Sequence, residues 1–293
     1  MDNKFPGKDI SDLDLKDKFP LVAKKSPNHY SKFKVCGVEF GGKKIPVMAG
    51  PNMVENLAMI RKTAISVKKN GASFLRGGAY KPLTFPYRSS KYYETREEGI
   101  HWLSIVKKEI KIPVITEILD VRDIDHVCKV TDIIQIGSRN MQNYPLLIEC
   151  AKTMKPIMIK RHYGASLRDW LGAAEYVLLE GNKKVMLCER GVSVTHTHRS
   201  TSRFLLDLQV VPAIKEISHL PVIVDPSHAT FWRPWVKDMT LASIASGADG
   251  IMLEVHPDPE NSAVDPLQPI SFRSFSKLMS QMKKVAKSIG RKI

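Results

Sequence analysis

The sequence predicts an α/β fold, a (β/α)8 TIM barrel with an N-terminal β-hairpin capping the barrel, and three observations point there. Eight short apolar runs, each ending in polar or charged residues, recur between residues 45 and 256. Runs so continuously apolar suit strands buried on both faces, as in a parallel sheet covered by helices. Helix-length stretches separate them, and 293 residues fit one such barrel of about 250 residues with a short extension better than two domains.

Along the chain, residues 1–32 are polar, rich in Lys and Asp, and read as an extension too short for an independent domain. Residues 33–293 form the barrel, its hairpin included. Phe33 to Met48 alternates in two segments across Gly-containing turns, which predicts the hairpin, placed to cap the barrel's N-terminal mouth. The strands follow as Ile45–Gly50, Ala72–Gly78, Ile112–Glu117, Asp132–Arg139, Pro156–Arg161, Val185–Gly191, Pro221–His228 and Gly250–His256. Between them, Asn56 to Lys69 carries helical spacing at Leu57, Ile60, Ala64 and Val67. Ser166 is positioned to cap a helix over Leu167 to Leu179 that stops at Gly181. Asp207 to Ile217 and Thr240 to Ser246 supply later helices, and Phe272 to Lys287 the closing one.

Composition narrows the function classes. Hydrophobic content of 43% and charged content of 26% describe a soluble globular chain. No apolar run approaches the roughly 20 residues of a membrane helix, and the N-terminus lacks the apolar core of a secretory signal. Cys36, Cys128, Cys150 and Cys188 are scattered, with no Cys-x-x-Cys pair, so a reducing cytoplasm is expected. The net charge of +15 comes from lysines spread along the chain without an aromatic-studded stripe. That pattern fits a solvated surface or attraction of anionic metabolites, not nucleic-acid binding.

In a barrel of this type the chemistry sits where the strands end. Arg76, Lys81, Arg139, Lys160 and Arg190 come from four strand ends, Arg76 and Lys81 from the same one, and would converge on one mouth. Five neighbouring cations call for an anionic ligand, phosphorylated or carboxylated. Each one alone could instead pair with Glu117, Glu189 or Asp225. His228, Glu254 and Asp265 make a second group, one imidazole and two carboxylates, to which Asn52 adds an amide. That set could hold a divalent metal, or it could hydrogen-bond substrate or water.

These residues lie in motifs that resemble a known family. They are Ala49-Gly-Pro51, Arg76-Gly-Gly-Ala-Tyr-Lys-Pro82, Gln135-Ile-Gly-Ser-Arg-Asn-Met-Gln-Asn143, Lys160-Arg161, Leu187-Cys-Glu-Arg-Gly191, Leu220 to Ala229 and Leu253-Glu-Val-His-Pro-Asp-Pro259. Over roughly residues 33–290 the chain resembles the phosphoenolpyruvate-condensing synthases of 3-deoxy-aldulosonate phosphates. It is most similar to the short 3-deoxy-arabino-heptulosonate 7-phosphate synthases of the shikimate pathway, which open aromatic amino acid biosynthesis and lack a regulatory domain. The resemblance implies a transferase that joins phosphoenolpyruvate to an aldose phosphate and releases inorganic phosphate. It further implies that Arg76, Lys81, Arg139, Lys160, Arg190, Thr84 and Gln135 bind substrate, that Lys81, Asn52 and His228 serve catalysis, and that His228, Glu254 and Asp265 occupy metal-ligand positions.

The departures from the family pattern are as informative. Asn52 stands where the heptulosonate enzymes carry a cysteine ligand, so no cofactor is expected to be required, with at most a weakly bound divalent metal ion. Leu83 and Phe85 replace polar groups of the motif that holds the aldose phosphate, His162 replaces a glycine, and Ser193 an arginine. Asp265-Pro-Leu-Gln268 stands for Asp-Gly-Pro-Gln. These changes predict an altered aldose acceptor. The alternatives are the ordinary heptulosonate synthase using erythrose 4-phosphate, with Arg88 or Arg233 compensating, and a non-catalytic anion-binding descendant. The expected partners are the two substrates and further copies of the chain, as a homodimer or homotetramer, with neither nucleic acid nor membrane.

Overall fold

Two short antiparallel strands, β1 (Phe33–Val35) and β2 (Val38–Phe40), lead into the barrel. Cys36 and Gly37 make the two-residue turn between them, both with positive φ (48° and 81°), the geometry that matches the twist of paired strands. The computed structural model describes residues 16–82, 94–196, 198–199 and 204–293.

The barrel then alternates strand and helix: β3 (Val47–Gly50), α1 (Leu57–Lys69), β4 (Phe74–Arg76), α2 (Arg96–Ile110), β5 (Val114–Ile118), α3 (Ile124–Cys128) and β6 (Ile133–Ile136). It continues through α4 (Tyr144–Lys152), β7 (Ile157–Lys160), α5 (Leu167–Leu179) and β8 (Val185–Glu189). A small antiparallel ribbon follows, β9 (Val192–Ser193) with β10 (Phe204–Leu205), then α6 (Val210–Ile217) and β11 (Val222–Val224). The chain ends with α7 (Pro226–Thr230), α8 (Arg233–Ala245), β12 (Gly250–Glu254) and α9 (Phe272–Ser288). β3 to β8, β11 and β12 pair in parallel and close, β12 on β3 and β11 on β8.

Alternation along each strand sorts the side chains into two cores. Ala49, Leu75, Ile134, Ile159 and Leu187 face outward and pack under the helices. Met48, Phe74, Ile115, Ile133, Met158, Met186, Ile223 and Met252 fill the barrel, and Val35 and Phe40 of the hairpin join that cluster. The Phe40 and Phe74 rings lie 5.6 Å apart. The hairpin therefore plugs the barrel, as its apolar alternation predicts.

All eight expected strands form, with their polar ends trimmed. α5 has the expected bounds, and Ser166 and Asp169 close a full capping box at its start. The helix expected at 240–246 begins earlier, at Arg233, because Pro234 in its first turn needs no hydrogen-bonded N–H. α2 and α4 add to the helices assigned from sequence. The later part of the N-terminal extension packs on the barrel: Val22 is buried, and Leu21 and Val22 donate their N–H groups to Glu175 at 2.9 and 2.8 Å. Among the described residues no helix is long and apolar enough to cross a membrane.

Candidate active site

β3, β4 and β5 to β8 each deliver polar side chains to one cavity of about 180 Å³ at the C-terminal mouth. Arg76, Lys81, Arg139, Lys160 and Arg190 all line it, with Asn52, Glu117, Gln135, His228, Asp265 and Gln268. The five cations expected to converge therefore do so. Thr84, Leu83, Phe85 and Arg88 lie outside the described residues.

Close backbone approach makes room for this crowd. Gly50 ends β3 at φ 154°, and a Cβ there would sit 2.0 Å from the Arg76 carbonyl oxygen. At Gly137 a Cβ would meet Glu117 Oε1 at 2.0 Å. Both positions admit only glycine, and both set the depth at which Arg76 and Glu117 lie.

Asn52 is the hub of the inner site. Its Oδ1 accepts from Arg76 Nη2 at 2.7 Å and from Lys81 Nζ at 2.6 Å, while its Nδ2 donates to Asp265 Oδ2 at 3.1 Å. Lys81 Nζ also lies 4.0 Å from Glu117 Oε2, and Gln135 Nε2 donates to the same oxygen at 3.0 Å. Burial lowers the Lys81 ammonium to about 8, with Arg76 and Lys160 adding to the shift and Glu117 opposing it. It stays mainly protonated at neutral pH, yet poised to give up its proton.

Lys160 and His228 share a buried carboxylate. Lys160 Nζ donates to Asp225 Oδ2 at 2.6 Å, and His228 Nδ1 lies 2.9 Å from the same oxygen. Burial opposes ionisation of Asp225, but contact with His228 and Lys160 holds its carboxyl well below the usual range. Burial also holds the His228 imidazole well below its usual value, with Lys160 and Arg76 pushing the same way. His228 is thus neutral, and its Nε2 lies 3.4 Å from Arg76 Nη2. Arg76 Nη1 is buried with no hydrogen-bond partner among the described residues. A desolvated guanidinium nitrogen left so is costly unless an anion meets it. The carboxylates Glu117, Asp225 and Asp265 offset only part of the positive charge.

Arg161, next to Lys160, turns to the other side of the strand. It pairs with Glu189 at 3.1 Å and Asp207 at 2.8 Å and belongs to the scaffold. The cavity also has residues that the sequence reading did not select. Tyr163 follows the His162 departure, a nearby signal, whereas Phe204 lies beyond Arg190 on the far arm of the β9–β10 ribbon, where nothing in the sequence marks it.

The residues present do not make a good transition-metal centre. His228 Nε2 is 3.9 Å from Glu254 Oε2, so those two meet, but Asp265 is engaged by the Asn52 amide. Burial pushes the Glu254 carboxyl up to about 8, against Arg76 and with Asp265, and Gln268 Nε2 donates to it. The Asn52 oxygen faces two cations, and among the described residues no three His, Cys, Asp or Glu side chains are placed to share one ion.

The family model described as "DAHP synthetase I family" matches residues 27–291. The chain belongs to the DAHP synthetase I family. It is 40% identical over 275 residues to the phospho-2-dehydro-3-deoxyheptonate aldolase of Thermotoga maritima, covering 94% of this chain and 80% of that protein. The solved structure of a truncated form of the Thermotoga maritima 3-deoxy-D-arabino-heptulosonate 7-phosphate synthase superposes with a TM-score of 0.84 at 36% identity, over 94% of this chain and 99% of that one. The 2-dehydro-3-deoxyphosphooctonate aldolase of Desulfotalea psychrophila is 26% identical over 263 residues, 85% of this chain and 92% of that protein. Like its DAHP synthetase I relatives, this chain is an enzyme of the transferase type, built on an eight-stranded barrel.

Proposed function

We propose that the enzyme condenses phosphoenolpyruvate with erythrose 4-phosphate, giving a 3-deoxy-heptulosonate 7-phosphate and inorganic phosphate. The observation that carries this reading is the meeting of Arg76, Lys81, Arg139, Lys160 and Arg190 in one cavity. The 40% identity to a heptonate enzyme supports the four-carbon acceptor over the altered one that the motif departures suggest. An altered aldose remains the second reading, because Leu83 and Phe85 replace polar groups in the sequence.

In this reading Arg76, Lys160, Gln135, Arg139 and Arg190 hold the carboxylate and phosphate of phosphoenolpyruvate. C3 of phosphoenolpyruvate then attacks the aldehyde carbon, and negative charge grows on the aldehyde oxygen. Lys81 donates a proton there, with Asn52 fixing its ammonium. Neutral His228, its Nδ1 beside Asp225, presents Nε2 to orient the water that adds at C2. Phosphate then leaves with cleavage of its C–O bond. Phosphate release measured across a panel of aldoses and aldose phosphates tests the reading. Fastest turnover with erythrose 4-phosphate supports it, and preference for another aldose selects the second.

Asn52 leads to a separate expectation about metal. Activity should survive chelators, and Asn52→Cys should raise zinc affinity by supplying a thiolate beside His228. Metal content after dialysis against zinc checks this. Stoichiometric metal in the wild-type protein, or activity abolished by chelator and restored by manganese, iron or zinc, would show Asn52 to be a competent ligand.

A further inference from the structure

The lining of the active-site cavity is cationic and polar except for Pro82, Val264 and two aromatic rings, Tyr163 and Phe204. The two rings are fixed to each other by backbone as well as by packing. Phe204 pairs with Ser193 across the β9–β10 ribbon, and Ser193 donates its N–H to the Tyr163 carbonyl at 2.8 Å. The Tyr163 and Phe204 rings stand 5.4 Å apart, tilted by 33°, and the Arg190 guanidinium lies 4.3 Å from the Phe204 ring centre. Tyr163 keeps 38% of its surface exposed, so it can meet a ligand. Nothing in the scheme above uses either ring.

Aromatic faces attract the weakly positive C–H groups of a carbon chain and disfavour anionic oxygens. Phosphoenolpyruvate offers two anionic groups and little else, and the cations suit it. An aldose phosphate also has a polyol backbone with C–H faces. We propose that Tyr163 and Phe204 are specificity-determining residues that form the wall against which the acceptor's carbon chain lies, and that they limit its length. This rests on the condensation reading above. It adds the surface that discriminates among aldose phosphates, made by a tyrosine beside the His162 departure and a ribbon residue that sequence motifs do not mark.

A purely supporting role is the competing explanation, since Phe204 packs against Arg190 and could act only by holding that cation for phosphoenolpyruvate. Steady-state kinetics with erythrose 4-phosphate and with the one-carbon-longer arabinose 5-phosphate, beside direct titration of phosphoenolpyruvate, separate the two. Tyr163→Ala and Phe204→Ala should each raise KM for erythrose 4-phosphate about three- to tenfold. They should shift kcat/KM toward the longer aldose phosphate and leave phosphoenolpyruvate affinity unchanged. Tyr163→Phe and Phe204→Tyr should restore the wild-type KM. If phosphoenolpyruvate binding weakens while acceptor KM and length preference stay fixed, the wall is only a prop for Arg190 and the proposal fails. If wild-type enzyme turns over no aldose phosphate, the condensation reading falls and the proposal with it. Wild-type turnover with unshifted variants overturns the proposal alone.

Discussion

Lys81→Met lowers turnover by about two to four orders of magnitude, the usual contribution of a positioned proton donor, while the barrel stays folded. The expectation follows from where the ammonium lies. It is held 2.6 Å from Asn52 Oδ1 in a buried site that lowers its pKa to about 8. A methionine of similar length fills the same space, but it leaves buried Glu117, 4.0 Å from Lys81 Nζ, short of a cation, so some loss of stability accompanies the loss of turnover. Thermal unfolding and steady-state kinetics read the two effects separately. Near-wild-type turnover in a folded Lys81→Met protein would remove Lys81 from the chemistry, leaving the aldehyde oxygen to be met by Arg76 or another donor.

Lys160→Met strikes both binding and stability. In the proposed reaction its ammonium holds the anion by a charge-assisted bond worth roughly 1.5–3 kcal/mol, so about a ten- to hundredfold loss of phosphoenolpyruvate affinity is expected. Its loss also strands Asp225, which is fully buried and 2.6 Å from Lys160 Nζ. Breaking a buried pair from one side costs roughly 3–5 kcal/mol. Adding Asp225→Asn should recover much of that stability, because asparagine caps α7 as well as aspartate does and carries no charge. The double variant should still bind phosphoenolpyruvate weakly. Tight binding in the double variant would show that Lys160 serves the fold and not the ligand.

The sequence exposes the barrel because its strands are buried on both faces. A run such as Pro156-Ile-Met-Ile-Lys has no solvent face to make polar, so it stands out from the helices around it. Convergence of the cations was legible for the same reason, since the strand ends of a closed barrel must meet. The partners of those cations were not legible. Nothing in the order of residues shows that Asn52 accepts from Arg76 and Lys81 while donating to Asp265. That depends on the depth fixed by Gly50 and on the turn after β4. Lys160 and Arg161 look alike as strand-end cations, yet alternation sends one to Asp225 and the other to Glu189. The boundary drawn after residue 32 follows composition, but Val22 and its backbone bonds to Glu175 tie the preceding segment to the barrel.

One measurement bears most directly on the central claim, that this enzyme joins phosphoenolpyruvate to an aldose phosphate at the cationic mouth. Chelator-treated enzyme is mixed with erythrose 4-phosphate and phosphoenolpyruvate labelled with 18O in its bridging C–O–P oxygen, and both products are read by mass. The account predicts one inorganic phosphate for each phosphoenolpyruvate consumed, with the label in the phosphate, and a seven-carbon 3-deoxy-ulosonate phosphate. No consumption of phosphoenolpyruvate with erythrose 4-phosphate or any other aldose phosphate, even after metal is returned, would contradict it.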